Sequence, residues 1–219
     1  MGDTTSRSYE SVAWFYELLA HVFSLGLIRA AKASQVPHLS KGDRILYVGA
    51  GSGEDAILAA RAGAKVTCVD LSPAMLSRIK KRFAKEDLDA EFICSDVIEF
   101  RPDVLFDAGA ANFFLNIFPE PVMKRVLQHL TQCVKPGGKI LIADFATSGG
   151  AIATTVSKLY YLVALVFFWA LRLMPLHPIY DYRSYLKEVG AELSESKDFR
   201  LCGIGPCVYR SLVAVRRPE

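Results

Sequence analysis

The chain has 219 residues, of which 52% are hydrophobic and 22% charged, and it carries a net charge of +3. That length suits a single domain with a sizeable core. The charge is too small and too dispersed for a nucleic-acid binder, and the densest basic run, Arg78 to Lys85, reads as the solvated face of a helix.

From Asp43 onward, short apolar runs alternate with helix-like ones. RILYVG (44–49) is a strand ending at glycines, and EDAILAARAG (54–63) is a helix stopped by Gly63. KVTCVD (65–70) is the next strand. Ser72 then caps a helix with Pro73 at its first position and Met75, Leu76, Ile79 and Phe83 on its apolar face. AEFICSD (90–96) and LFDAGAANFF (105–114) are strands, and EPVMKRVLQHLTQCV (120–134) is an amphipathic helix. PGG (136–138) turns the chain into the strand KILIADF (139–145). The alternation breaks after Phe145 and resumes with a helix over 181–191, then two strand-like runs, 193–202 and 206–217, that read as an antiparallel hairpin. Such alternation predicts a parallel sheet with helices on both faces, whose ligands lie beyond the carboxyl ends of the strands.

YVGAGSGEDA (47–56) stands where the first strand meets the first helix. Gly49, Gly51 and Gly53 allow a tight turn and close approach of a ligand, with Ala50 between them. Asp70 ends the second strand, where an acid can take a ribose diol. A dinucleotide would bring its pyrophosphate to the helix N-terminus, against Glu54 and Asp55. S-adenosylmethionine brings a sulfonium, an ammonium and one carboxylate, so those acids favour it. Asp96 ends the third strand and reads either as an acceptor for an adenine amino group, with the Val97 N–H on the ring, or as an ordinary turn aspartate.

These residues resemble the class I S-adenosylmethionine-dependent methyltransferases over most of the chain. YVGAGSG, VTCVDLSPAML, CSDV and VKPGGKILIADF each resemble a motif of that family. The resemblance implies an α/β, Rossmann-like doubly wound sheet with an antiparallel C-terminal strand. It implies Asp70 on the ribose, Leu71 beside it, and Asp96 and Val97 at the adenine. YESVAWFYELL (9–19) resembles an N-terminal helix that covers the cofactor, which assigns Tyr9 and Tyr16 to the methionine end. YELLAHVFSLGLIRAAK further resembles the opening of the ubiquinone/menaquinone C-methyltransferase group. On this reading, 1–41 is a helical cap, 42–145 the cofactor-binding core, 146–180 an apolar insertion or lid, and 181–219 the last helix and hairpin. There are two departures. Tyr47 stands where the family usually has an acid, leaving Glu54 or a backbone carbonyl for the ammonium. FFLNIF (113–118) replaces xxLHHV, so Asn116 takes a histidine-like place.

Methyl transfer needs alignment above all, and a base only where the acceptor must lose a proton. His177, in LMPLHPIYDY, is the best titratable candidate for that base, set against a plain loop histidine. Asn112 reads as a cofactor or substrate contact, and His21, Asn116, Tyr160, Phe168 and Tyr180 as substrate contacts. His38 and His129 read as surface or helix-face residues, and Cys68 and Cys94 as core packing. The five cysteines make no CxxC pair, and no cluster suggests a metal.

LYYLVALVFFWALRLMP (159–175) holds an unbroken apolar run of about thirteen residues, when a span needs about twenty. It reads as a helix with one face on the domain and the other on a lipid, an apolar substrate or a partner subunit. The sequence therefore predicts a cytoplasmic enzyme, peripheral on the inner membrane face, that methylates an apolar or lipid-like molecule such as a quinone precursor. Two alternatives stand beside it. One is a methyltransferase for a compact aromatic metabolite, with the apolar helix as a homodimer interface. The other is a binder of S-adenosylmethionine without catalysis.

Overall fold

Alternating strands and helices bury their apolar sides by setting the strands side by side and stacking helices above and below. The computed structural model describes residues 24–147, 150–170 and 179–218, with the backbone alone at 152, 153 and 163–170. Its elements are α1 (Leu27–Ala33), β1 (Arg44–Val48), α2 (Glu54–Arg61), β2 (Lys65–Asp70), α3 (Pro73–Lys85), β3 (Ala90–Cys94) and β4 (Phe106–Asn112). There follow α4 (Glu120–Gln132), β5 (Val134–Phe145), α5 (Ala151–Ala170), α6 (Tyr182–Glu188), β6 (Ala191–Arg200) and β7 (Cys207–Arg216). The seven strands lie in the order β3-β2-β1-β4-β5-β7-β6. Strands β1 to β5 pair in parallel, and β7 runs antiparallel to both β5 and β6. The predicted hairpin is present, with its second strand inserted next to β5.

Side chains alternate across the sheet with period two. Ile45, Tyr47, Ala108, Ala110 and Leu141 pack with Ala56 and Ile57 of α2 and Ile79 and Phe83 of α3. Leu46, Val48, Ala111, Ile140 and Ile142 pack with Met123, Leu127 and Leu130 of α4 and Leu186 of α6. Ser72 caps α3 as its sequence predicts, accepting from the Met75 N–H at 3.3 Å. The predicted PGG turn lies inside β5: Phe106 pairs with Val134 but Ala108 with Lys139, so the intervening residues bulge, with Gly137 at φ 77°.

Helix α5 starts eight residues before the apolar run at Leu159. Its inner face carries Ser157, whose hydroxyl donates to the Cys207 carbonyl at 2.6 Å, and the buried Tyr161. Its outer face leaves Val156, Leu159 and Leu162 at 41%, 60% and 48% exposed. No helix of the described residues is long and apolar enough to cross a membrane.

Candidate cofactor and acceptor site

The strand order reverses between β1 and β4, so the crevice above their carboxyl ends is the expected ligand position. The glycine loop forms its floor. Gly49 has φ 59°, and a Cβ there would lie 2.0 Å from Cδ2 of Phe114, so no side chain fits. Gly53 caps α2 with φ 70°, and a Cβ there would meet Ile79 Cγ2 at 2.7 Å. The Gly49 N–H donates to the Val69 carbonyl at 2.9 Å and the Gly53 N–H to the Ala50 carbonyl at 2.8 Å. The N–H groups of Ala50, Gly51 and Ser52 have no acceptor among the described residues. The space over Gly51 is open, since a Cβ there would meet only the Gly49 carbonyl, at 4.0 Å. Open, unpaired N–H groups are what a ligand carboxylate needs.

Asp70 stands on the same rim. Its Oδ1 accepts from the Ser72 N–H at 2.9 Å, and Oδ2 has no partner among the described residues. Burial pushes its carboxyl above the usual range, opposed by the Ser72 N–H. Leu71 is 70% exposed beside it. Asp96 is exposed, with Oδ1 accepting from the Ile98 N–H at 2.9 Å. The Val97 side chain is in the core, so this residue offers the rim its backbone N–H. Asp70, Leu71, Asp96, Val97 and the glycine loop thus come together on one rim.

The other predicted residues divide. Tyr9, Tyr16, His21 and His177 lie outside the described residues, and Phe168 is described by its backbone alone. Asn112 is brought to the rim, but its hydrogen bonds are internal. Its Nδ2 donates to Gln35 Oε1 at 2.9 Å and Asp55 Oδ2 at 2.8 Å, and its Oδ1 accepts from the Ala143 N–H at 2.8 Å. It ties α1, α2 and β5 together. Tyr160 is half-buried against Tyr209, with their hydroxyls 2.9 Å apart, and Tyr180 donates to the Phe118 carbonyl at 3.0 Å. Asn116 is buried, and its Oδ1 has no partner among the described residues.

Other expectations are corrected by contacts distant in sequence. His129 is buried, not on a free helix face, with Nε2 2.8 Å from the Phe100 carbonyl. Cys94 is exposed, because β3 is an edge strand. Glu54 and Asp55 are not bare charges at the loop. Arg29 pairs with Glu54 at 3.1 Å and Lys32 with Asp55 at 3.5 Å. The repulsion expected against a pyrophosphate is therefore largely neutralised, and Glu54 is already engaged where an ammonium partner was sought. Tyr47, in the acid's place, donates its hydroxyl to the Asp55 carbonyl at 3.2 Å.

Two features escaped the sequence reading. Arg82, within the basic run, donates to the Ser52 carbonyl at 2.7 Å and so braces the glycine loop; its i+3 spacing from Ile79, which packs on Gly53, is the only hint. Asp144, near the end of β5, is buried. Its Oδ2 accepts from the Tyr182 hydroxyl at 2.8 Å and its Oδ1 from the Phe145 N–H at 2.7 Å, and the backbone N–H of Asn116 faces it and favours its charged form. Burial pushes this carboxyl up to about 7, against those three donors.

A shallow depression at the opposite ends of the strands, lined by Arg44, Gly63, Lys65, Asp89 and Glu91, has none of these features. It lies a strand length away, about 17 Å.

Comparison with known proteins gives the family. A family model described as a methyltransferase domain matches residues 45–138. A demethylmenaquinone methyltransferase of Renibacterium salmoninarum is 32% identical over 166 residues, covering 74% of this chain and 68% of the relative. One of Clavibacter sepedonicus is 33% identical, covering 65% and 58%. The chain therefore spans roughly three fifths to two thirds of the length of these relatives. Among solved structures, the magnesium protoporphyrin IX methyltransferase of Synechocystis with bound SAH superimposes with a TM-score of 0.66 at 18% identity, covering 89% of this chain and 84% of that one; the likeness shows the fold. The chain belongs to the class I S-adenosylmethionine-dependent methyltransferases.

Proposed function

We propose that the protein transfers the methyl group of S-adenosylmethionine to an apolar aromatic acceptor bearing a hydroxyl, of the quinol type. The single observation that carries the reading is the rim: an open glycine loop whose N–H groups lack acceptors among the described residues, next to a strand-end Asp70 whose Oδ2 has no partner among them. The loop N–H groups suit the cofactor's carboxylate and Asp70 its ribose diol. The Val97 N–H and Asp96 suit the adenine, with Leu71 covering the ring. When bound, the sulfonium supplies an activated methyl group. The chain's own residues then align the acceptor and exclude water, which is worth several powers of ten in rate. As the methyl–sulfur bond breaks with its pair left on sulfur, the acceptor's nucleophilic atom bonds to carbon and one proton leaves the acceptor.

The names of the relatives support a quinone-derived acceptor. So does the outer face of α5, where Val156, Leu159 and Leu162 offer apolar cover to a greasy molecule or a bilayer surface. The test is incubation with radiolabelled S-adenosylmethionine, a reduced whole-cell lipid extract and liposomes. Label should move into the organic phase, and protein should sediment with the vesicles. Label on a water-soluble aromatic alone, with the protein staying in the supernatant as a dimer, would replace the lipid reading with that of a compact acceptor and a dimeric α5.

A further inference from the structure

Phe113 has φ 52°, a conformation rare for a residue with a side chain. This turn at the end of β4 sends Phe114 onto Gly49 and places Asn116 over β5. Asp144 lies three residues past Leu141, which is level with Ala110 of β4 and Tyr47 of β1. It is thus level with the glycine loop, two strand spacings or about 10 Å away. Just beyond β4, the strand that separates β1 from β5, Asn116 holds a buried amide oxygen with no partner among the described residues. A buried acceptor without a donor is costly, and such an atom at a ligand rim points to a ligand that brings the donor.

We propose that Asp144 is a positioning residue for the methyl acceptor: its carboxylate fixes Asn116, and the Asn116 Oδ1 receives a hydroxyl of the acceptor. This rests on the methyltransferase reading and adds a specificity to it. A hydroxyl-bearing aromatic satisfies Oδ1; its ether or its quinone does not. Only the ionised carboxylate accepts from Phe145, Asn116 and Tyr182 together, so the site is organised above the pH at which Asp144 titrates. The phenols that face it stay neutral through that range. Tyr161 of α5, Tyr182 of α6 and Tyr180 beside it are phenols pushed up by burial. Arg210, across from Asp144 on β7, is bound to Asp198 at 2.6 Å and to the Thr147 carbonyl at 3.4 Å.

The experiment is calorimetric titration, under anaerobic conditions, of 1,4-dihydroxynaphthalene and of its dimethyl ether into the protein saturated with S-adenosylhomocysteine. The diol should bind about tenfold tighter than the ether, and about tenfold tighter at pH 8 than at pH 6. Asn116→Leu should erase the preference for the diol. Asp144→Asn should erase the pH dependence and leave S-adenosylhomocysteine affinity unchanged. Tyr182→Phe, a smaller perturbation, should weaken the diol severalfold and leave the ether as it was. Equal binding of diol and ether, no binding of the diol, or an unchanged pH dependence in Asp144→Asn overturns the inference. A parallel assay of label transfer separates the two claims. Selective diol binding without transfer to any quinol would contradict the proposed activity alone; transfer without diol selectivity would contradict the positioning role alone.

Discussion

At Asp144, burial makes the ionised form expensive, while Tyr182, Phe145 and Asn116 recover part of the cost. A carboxyl raised from 3.8 to about 7 in the folded state binds its proton more tightly than the unfolded chain does. Its contribution to stability is full below the unfolded pKa and is lost as the pH rises to about 7. The difference amounts to roughly 4 kcal/mol over that window. Asp144→Asn, which does not titrate, should therefore gain on the wild type as pH rises from 4 to 7, read from denaturant midpoints. A difference that stays flat across that interval would show that Asp144 is already ionised at low pH. The sequence made Asp70 legible because a β-rich run ending in an acid, just after a glycine turn, is a local pattern. Asp144 ends a strand in the same way, but what distinguishes it is supplied by Asn116 and by Tyr182, 38 residues away. The bonds of Asn112 are illegible for the same reason, with partners 77 and 57 residues distant.

At the scale of elements, helix α1 is too short to be stable alone. It is held to α2 by Lys32–Asp55, side chains 11% and 3% exposed, and by the Gln35–Asn112–Asp55 chain. Removing one member of so buried a pair strands the other charge. Lys32→Ala should cost roughly 3 kcal/mol in chemical denaturation. Lys32→Met with Asp55→Asn should recover most of that, since the new amide oxygen still accepts from Asn112. A loss below half a kcal/mol for Lys32→Ala would mean that Asp55 is solvated after all. Helix α5 shows the reverse case, in which the sequence spoke more clearly than its partners. The all-round apolar run announced an uncovered face, and the structure leaves Leu159 and Leu162 exposed there. The earlier start at Ala151 was not legible, because ATTVSK carries mixed polarity and its Ser157 is buried by a bond to β7.

For the molecule as a whole, alternation of strand and helix was enough to foretell a doubly wound sheet with Asp70, Asp96 and the glycine loop along one rim. It did not foretell that β7 would lie between β5 and β6, since a hairpin has no local signal for which of its strands meets the sheet. That placement sets Arg210 opposite Asp144 and Tyr209 against Phe145 and Tyr160. The electrostatic case for S-adenosylmethionine weakens once Arg29 and Lys32 are seen on the acids of α2. Family membership and the open loop now support the cofactor in its place. The most direct test is calorimetric titration of S-adenosylmethionine into the wild type and Asp70→Ala. Saturable one-site binding to the wild type, lost in the variant while its circular dichroism and melting are retained, is the predicted result. Equal affinity in both, or tighter binding of a nicotinamide dinucleotide, would contradict the assignment.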